Sequence, residues 1–429
     1  MKIAISRRWA IFFAACLLFV LSQFYRASIA VITPDLISDL GLDINGLSLV
    51  SASFFYAFAV MQIPISMYLD AIGPRITMTA LSLLGVAGAL IFACGDSIGS
   101  LVAGRVLLGA GMACNLMGAL KLITLWFGPL RFATISALVL SFGTLGNMTA
   151  ATPLVLMVQS IGWRMTFMVF SGINLLLTLM FFMVVRDRPK EASNDEITLN
   201  VSTDLPEILK NILVLIKEKD YWIMSLNTFC RYGIFAAVQA LWAGPYLMTV
   251  IGISPVDAGN VLLSMGVGMI VGSPVCGWFS DVLFKTRKGV IIAGLGGMAL
   301  VLAVLAFLPR GIPLTVLSVL FLGFGLFASA GQIVFAHIKE RMPLELAGTA
   351  MTGVNFFTMV GSAAFLQGLG SLMQYLYPGE SLGAPAFRMA FLFCAGCLAF
   401  TAMVYCFTIE TLGKRKSSSL MNQAGKEEK

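Results

Sequence analysis

Long apolar runs, separated by short polar stretches, set the pattern of this chain from one end to the other. Each run of roughly 20 residues is long enough to cross the ~30 Å hydrocarbon core of a bilayer as a helix. Twelve spans are predicted, six on either side of a polar stretch from Arg186 to Asp220. Their ranges are 9–38, 47–69, 75–94, 98–121, 133–158, 164–185, 221–250, 256–280, 289–308, 313–336, 347–374 and 386–409. The pattern therefore predicts an all-α integral membrane protein.

The distribution of basic residues predicts the orientation of these spans. Lysine and arginine concentrate in the termini, the central polar stretch and alternate loops, whereas the opposite loops hold only Arg164, Arg310 and Arg388. The positive-inside rule then places both termini in the cytoplasm, as expected of a multi-pass protein of the inner membrane. The predicted division is a six-helix bundle over 1–189, a cytoplasmic linker over 190–220, a second bundle over 221–412 and a tail over 413–429.

Composition agrees with the bilayer as the solvent of this chain. Hydrophobic residues make up 59% of the 429 positions and charged residues only 11%, against about 25% in a typical soluble domain. The net charge of +7 resides in residues that flank the spans, so it reports topology and predicts no nucleic-acid partner. All eight cysteines lie in apolar stretches, where a small buried hydrophobe is the main interpretation and a metal or disulfide role the alternative. We expect no cofactor and no resident metal.

Two matching stretches place an arginine inside an apolar span. They are Phe24–Ile29 around Arg26 and Phe229–Ile234 around Arg231, almost half the chain apart. An arginine at bilayer depth costs roughly 2.5–3.5 kcal/mol on insertion scales, so it marks a functional site by default. All twenty-one acidic residues fall in loops, span ends or tails, so a bound anion is the expected counter-charge. The alternative is that these arginines snorkel or bond to helix carbonyls.

Two loops repeat between the halves of the chain. Asp70 precedes Gly73-Pro74-Arg75 after the second span, and Asp281 precedes Lys285, Arg287 and Lys288 after the eighth. Together with Arg105-Val106-Leu107-Leu108-Gly109 in the fourth span, these motifs resemble the major facilitator superfamily over nearly the whole chain. The resemblance implies two pseudo-symmetric six-helix bundles with a substrate site between them. It also implies a cytoplasmic gate, for which the candidates are Asp70, Arg75, Asp281 and Arg287.

Two branches of that superfamily resemble the chain. Arg231-Tyr232-Gly233-Ile234, followed by Pro245-Tyr246-Leu247, resembles the organophosphate:phosphate antiporters, in which matching arginines hold the phosphate. The run Ser53 to Pro64 and Asn227 to Arg231 resemble the anion:cation symporters. The chain departs from both: a lysine of the first branch falls on Gln62, and the proton-carrying acids of the second fall on Tyr25 and Met112. The missing acids favour exchange or uniport over proton symport.

The candidate substrate-binding residues are Arg26, Arg231, Arg105, Tyr25, Gln62, Tyr232 and Asn355. For Arg105 two interpretations remain open: contact with the ligand, or a structural bond to the backbone of a neighbouring helix. The only histidine, His337, is followed by Lys339 and Arg341, which indicates a loop at the membrane interface. A structural or solvated role is the main expectation for it, and proton coupling is the alternative.

These observations predict a secondary transporter of a small organic anion, either a carboxylate or a phosphate ester, that works by alternating access. Arg26 and Arg231 are expected to bind the same anion, and the protein is expected to act as a monomer in the lipid bilayer. A drug or neutral-solute exporter is an alternative, but cationic drugs would call for an acid in the cavity. A non-transporting anion sensor of the same fold is a second alternative. No acid pair or nucleophile–base set is evident in the spans, so an enzyme is not expected.

Overall fold

A computed structural model of the chain describes residues 2–127, 132–187 and 213–412. Every regular element in these ranges is helical, which confirms the all-α prediction. The main helices are α1 (Lys2–Ala27), α2 (Ile29–Leu40), α3 (Ile44–Ala71), α4 (Pro74–Cys94), α5 (Ile98–Met112), α6 (Asn115–Phe127), α7 (Phe132–Thr149), α8 (Thr152–Val184), α9 (Lys219–Ala237), α10 (Pro255–Trp278), α11 (Arg287–Leu305), α12 (Leu314–Ser329), α13 (Ile333–Arg341), α14 (Leu344–Leu376) and α15 (Ala384–Tyr405).

Several helices are joined by turns of a different pitch. Wide π-type turns continue α9 over Val238–Trp242 and Tyr246–Ile251, with Ala243–Pro245 between them, and continue α10 over Phe279–Leu283. A tight 3-10 turn, Ala330–Gln332, joins α12 to α13. Such irregular turns are frequent at functional sites.

The described residues contain eleven helical stretches that are long and apolar enough to cross a membrane, where the sequence predicts twelve spans. The difference comes from one stretch, Leu138–Val184, whose 47 residues would extend about 70 Å at 1.5 Å per residue. Gly162 interrupts it with φ 76° and ψ 160°, a conformation that only glycine adopts readily. The predicted spans 133–158 and 164–185 lie on the two sides of this glycine.

Packing divides the chain into two compact units. Unit 1 comprises Met1–Thr203, Ala236–Leu263 and Ser362–Ala386, and unit 2 comprises Asp204–Phe235, Ser264–Gly361 and Phe387–Lys429. These units group residues by contact, whereas the predicted bundles 1–189 and 221–412 group them by internal repetition, and that division stays a prediction. Most of the predicted linker and the whole tail over 413–429 lie outside the described residues.

Unit 1 contains a close helix crossing that the sequence explains. Pro34 lies inside α2 and has no N–H, so the carbonyl of Ala30, four residues earlier, receives no helical hydrogen bond from it. Gly244 packs against this carbonyl, and any side chain at position 244 would collide with it. Small residues at such crossings let backbones approach closely in membrane proteins.

In unit 2, a similar crossing fixes the helix that carries Arg231. Gly361 of α14 packs against the backbone of Phe229, leaving no room for a Cβ atom. The hydroxyl of Thr228 donates to the carbonyl of Val354 at 3.2 Å, so the same face of α9 is bonded to α14 at a second point. These contacts set the rotation of α9 and thereby the direction in which Arg231 leaves it.

Candidate functional site

Arg26 lies in the last turn of α1, directly before the helix is interrupted at Ser28. Its guanidinium lies 4.8 Å from the ring centre of Phe58 and 5.9 Å from that of Phe55, both on α3. The side chain is only 8% exposed. Stacking on aromatic faces stabilises a guanidinium without neutralising its charge. The site in unit 1 is therefore a positively charged group held against two phenylalanines.

Arg105, on α5, is completely buried in the interior of unit 1. Its Nη1 donates to the Tyr25 carbonyl at 2.7 Å and its Nε to the Val50 carbonyl at 3.4 Å, while the guanidinium lies 4.7 Å from the ring centre of Phe54. One side chain thus connects α1, α3 and α5. Among the described residues no carboxylate pairs with it, and its contacts fit the structural alternative named above.

The other two candidates in unit 1, Tyr25 and Gln62, are also packed among protein groups. The Tyr25 ring is fully buried, 5.4 Å from the ring of Phe24 and 6.3 Å from that of Phe167. Its hydroxyl is buried without a hydrogen-bond partner among the described residues. Gln62 is buried and its Nε2 lies 3.4 Å from the carbonyl of Ala113.

Arg231 is the corresponding group in unit 2, and it is 3% exposed. Its Nη1 donates to the carbonyl of Ala328 at 2.8 Å, and the guanidinium lies 5.8 Å from the ring centre of Tyr232. Its Nε is buried with no hydrogen-bond partner in the described part of the chain. Gly331, in the 3-10 turn after α12, lies against Nε, Cδ and Cζ of Arg231. The Arg231 side chain therefore lies against Gly331, with Nη1 hydrogen-bonded to a backbone carbonyl and Nε without a partner among the described residues.

The remaining candidates of unit 2 are less buried. Tyr232 and Asn355 are both of intermediate exposure. Asn355 lies within α14 and is partly exposed, so its amide is accessible to a ligand or to water. Asn227, which sequence reasoning left out of the site, lies one helical turn before Arg231 and is fully buried. Neither its Oδ1 nor its Nδ2 has a partner among the described residues.

Of the four gate candidates, three have side chains that the structure describes. The side chain of Asp70 lies outside the described part. The Arg75 backbone N–H donates to Asp187 at 2.7 Å, and its Nε donates to the carbonyl of Phe182 at 3.0 Å. Arg287 pairs with Asp281 and, at 3.0 Å, with Glu340. Glu340 was missed because it lies 53 positions from Arg287 and no motif marks it.

The prediction that His337 occupies an interfacial loop is wrong. It lies within α13, which continues to Arg341, and it is fully buried. The charge of Arg341 is paired with Asp220. Its Nδ1 lies 2.8 Å from the Tyr405 hydroxyl and its Nε2 lies 2.9 Å from the carbonyl of Ile409. Lys339 and Arg341, whose charges had indicated a loop, belong to the same helix as His337.

A cavity of about 630 Å³ lies elsewhere in unit 1, lined mainly by polar side chains of α3 and α14, among them Asn45, Gln367 and Gln374. The carboxylate of Asp43 at its edge caps α3 by accepting from the N–H of Gly46 at 2.8 Å. None of the predicted substrate residues lines this cavity. It therefore does not bear on the arginine sites.

Comparison with known proteins places this arrangement in a family. The chain is 24% identical over 422 residues to a probable sulfoacetate transporter, SauU, of Cupriavidus necator, with 91% of this chain and 95% of that protein covered. It is 23% identical over 412 residues to a probable hexose phosphate transport protein of Chlamydia muridarum, with 90% and 88% covered.

Among solved structures, a mutant of the nucleoside transporter NupG superposes with a TM-score of 0.76. The alignment covers 94% of this chain and 100% of NupG, and the identity is 12%. At that identity the likeness shows the fold alone. The family model of the Major Facilitator Superfamily matches residues 15–366 and 224–426. These proteins are transporters and not enzymes, as predicted, and the chain belongs to the Major Facilitator Superfamily.

Proposed function

We propose that the chain is a secondary transporter of a small organic anion carrying a carboxylate, sulfonate or phosphate group, and that Arg26 and Arg231 bind that anion. The supporting observation is the state of Arg231: a buried guanidinium with one backbone hydrogen bond and an Nε donor that has no partner among the described residues. A buried charge is costly unless it is paired, so a transported anion would stabilise the site.

The chemistry of the ligand follows from the guanidinium group. Its planar fork of N–H donors matches the paired oxygens of carboxylates and phosphates, and a sulfonate presents similar oxygens. The relatives named above are a probable sulfoacetate transporter and a probable hexose phosphate transport protein, both of which handle such anions by name. Two buried arginines are a poor site for a cationic drug.

Arg105 enters the proposal as a structural residue and not as a ligand contact. Its Nη1 and Nε reach backbone carbonyls of two other helices, its Nη2 has no partner among the described residues, and the residue has no exposed surface. Tyr25 and Gln62 are proposed to shape the surroundings of Arg26, while Tyr232 and Asn355, which retain exposure, are the better candidates for direct contact.

Alternating access and orientation complete the proposal. The protein is proposed to act as a monomer in the inner membrane with both termini in the cytoplasm, following the basic loops. Asp70, Arg75, Asp281 and Arg287 are proposed to stabilise one access state at the cytoplasmic ends of the helices. In unit 2 this role would be carried by the contacts of Arg287 with Asp281 and Glu340.

Uptake into proteoliposomes tests the proposal. Radiolabelled sulfoacetate and glucose 6-phosphate serve as probes, and Arg26→Gln and Arg231→Gln are each expected to lower uptake of the transported probe at least tenfold. Arg388→Gln is the matched control, because Arg388 also donates to one backbone carbonyl and also stacks on one ring, but it is exposed. Unchanged uptake in the Arg26 or Arg231 variant would refute the role of that arginine. Lack of uptake of both probes by the unaltered protein would refute the substrate class.

A further inference from the structure

Unit 2 contains a buried amide that makes no hydrogen bond within the described part of the chain. Asn227, on α9, has no exposed surface, and neither its Oδ1 nor its Nδ2 has a partner among the described residues. Turning the amide by half a turn exchanges the two atoms and leaves both of them without a partner. Burying an amide without a hydrogen bond is unfavourable, so a group of this kind needs a reason to be there.

The two other asparagines that are fully buried in the described ranges do bond to the protein. The Nδ2 of Asn115 donates to a backbone carbonyl of α1 at 3.2 Å, and its Oδ1 accepts from the Ser82 hydroxyl at 3.4 Å. The Oδ1 of Asn174 accepts from the Thr178 hydroxyl at 3.4 Å. Asn227 makes neither kind of bond, so the packing of unit 2 does not account for an amide at this position.

The position of Asn227 relative to Arg231 indicates what the amide serves. The two residues are four positions apart on α9, so they share one face of the helix, with their Cβ atoms about 5–6 Å apart. Long side chains on a helix point back toward its N-terminus, which directs Arg231 over the turn that carries Asn227. The contacts of Phe229 and Thr228 with α14 fix the rotation of this helix. One small molecule can therefore contact both side chains.

The two side chains differ in the hydrogen bonds that they offer. Arg231 only donates: its Nη1 is bonded to the carbonyl of Ala328 at 2.8 Å, and its Nε has no partner among the described residues. The amide of Asn227 donates through Nδ2 and accepts through Oδ1. The charged oxygens of an anion can satisfy the donors but not Oδ1. A hydroxyl group can both accept from Nδ2 and donate to Oδ1, whereas an ammonium group would only donate and would bring a positive charge beside Arg231.

We propose that Asn227 binds a hydroxyl group of the transported anion while Arg231 binds its charged group. Asn227 is then a specificity-determining residue, and the substrate class narrows to hydroxylated organic anions. The hydroxyl lies within a few bonds of the charged group, because the two side chains are one helical turn apart. Both residues are closed off from solvent, so the anion reaches them in an access state in which the site is open. This inference rests on the proposed function and deepens it.

Calorimetric titration of the detergent-solubilised protein with matched pairs of anions tests the inference. The pairs are 3-sulfolactate with 3-sulfopropionate, and glycerol 3-phosphate with 3-hydroxypropyl phosphate; the members of each pair differ by a single hydroxyl group. A site that hydrogen-bonds a substrate hydroxyl discriminates against the analogue that lacks it, because its own buried polar groups are then left unpaired. The unaltered protein should bind the hydroxylated member of at least one pair at least about tenfold more tightly.

Asn227→Leu replaces the amide by an apolar side chain of similar volume. In this variant the affinity for the hydroxylated anion should fall to that for its analogue, so the ratio within the pair should approach one. Asn227→Ala, which only removes atoms, repeats the test without introducing a larger side chain. Asn174→Leu is the matched control, because it removes a fully buried amide of the same size from unit 1, and its ratio should equal that of the unaltered protein.

The ratio within a pair is the decisive quantity, because a general packing defect would weaken the binding of both members equally. A hydroxyl preference that persists in the Asn227 variants would overturn the inference and leave the proposed function intact. Binding of the anions by the unaltered protein without any preference for the hydroxyl would do the same. Absence of binding of all four anions to the unaltered protein would instead count against the proposed substrate class, and the inference would fall with it.

Discussion

Gly331→Ala should weaken anion binding, although Gly331 is not one of the residues proposed to contact the anion. A Cβ atom at this position would overlap Nε, Cδ and Cζ of Arg231, so the arginine must move. Its Nη1 would then leave the carbonyl of Ala328, now 2.8 Å away. A hydrogen bond from a charged group contributes about 1.5–3 kcal/mol, and each 1.4 kcal/mol is a factor of ten. If anion binding needs Arg231 in its present position, affinity should fall roughly ten- to hundredfold.

Calorimetric titration with sulfoacetate or glucose 6-phosphate measures this loss, and two variants control it. Gly323→Ala introduces the same atom on α12, where nothing lies within 4 Å of the new Cβ, so affinity should not change. In an Arg231→Gln background the shorter side chain no longer reaches across residue 331. Adding Gly331→Ala there should have no further effect, so the two substitutions should be strongly non-additive.

Anion binding by Gly331→Ala as tight as that of the unaltered protein would refute the need for Arg231 in its present position. Weakening by the same factor with and without Arg231 would refute it equally. Additive losses would mean that Gly331 matters for general packing of unit 2 and not for the arginine. A melting temperature measured without anion separates the two, because a general packing defect lowers it in both backgrounds.

Three further substitutions test the surrounding structure. Arg105→Gln should lower the melting temperature of the unliganded protein markedly, since it removes hydrogen bonds that connect three helices; an unchanged melting temperature would contradict a structural role. Gly162→Ala should cost about 1–3 kcal/mol, because φ 76° and ψ 160° lie in a region that essentially only glycine adopts. Gly172→Ala on the same helix, with free space around it, should be neutral or slightly stabilising. Burial alone would raise the pKa of Glu410, but hydrogen bonds from the Thr286 hydroxyl and neighbouring N–H groups hold that pKa below its usual value. Its stabilising effect is therefore present at neutral pH and lost as the pH falls through the folded-state value, so Glu410→Gln should lower thermal stability at pH 7 and flatten the loss on acidification.

The apolar periodicity of the chain was sufficient to predict the helical membrane fold, because each span must satisfy its own backbone in lipid. The pattern also separated the spans 133–158 and 164–185, which lie on the two sides of Gly162. It missed the interruption at Ser28, which lies inside the predicted span 9–38 next to Arg26. Helix ends and breaks depend on local backbone geometry, which composition describes poorly.

The candidate site was only partly accessible from sequence. The arginines stand out because charge is rare in apolar spans, so Arg26 and Arg231 could be chosen without a structure. Their surroundings could not: Ala328 lies 97 positions from Arg231, and nothing in Gly331 distinguishes it from the other glycines. His337 was misplaced because its basic neighbours resemble an interfacial loop, although Arg341 is paired with Asp220.

The crossing of Ala30 and Gly244 has a consequence for how unit 1 could open. The Ala30 carbonyl, which Pro34 leaves without its usual helical donor, lies directly under a residue that has no side chain. If the two segments moved apart, water could hydrate this oxygen at once, and no interlocked side chain would have to be withdrawn. The contact can therefore separate and form again without any change of side-chain rotamer. A bulky residue at position 244 would keep the two segments apart.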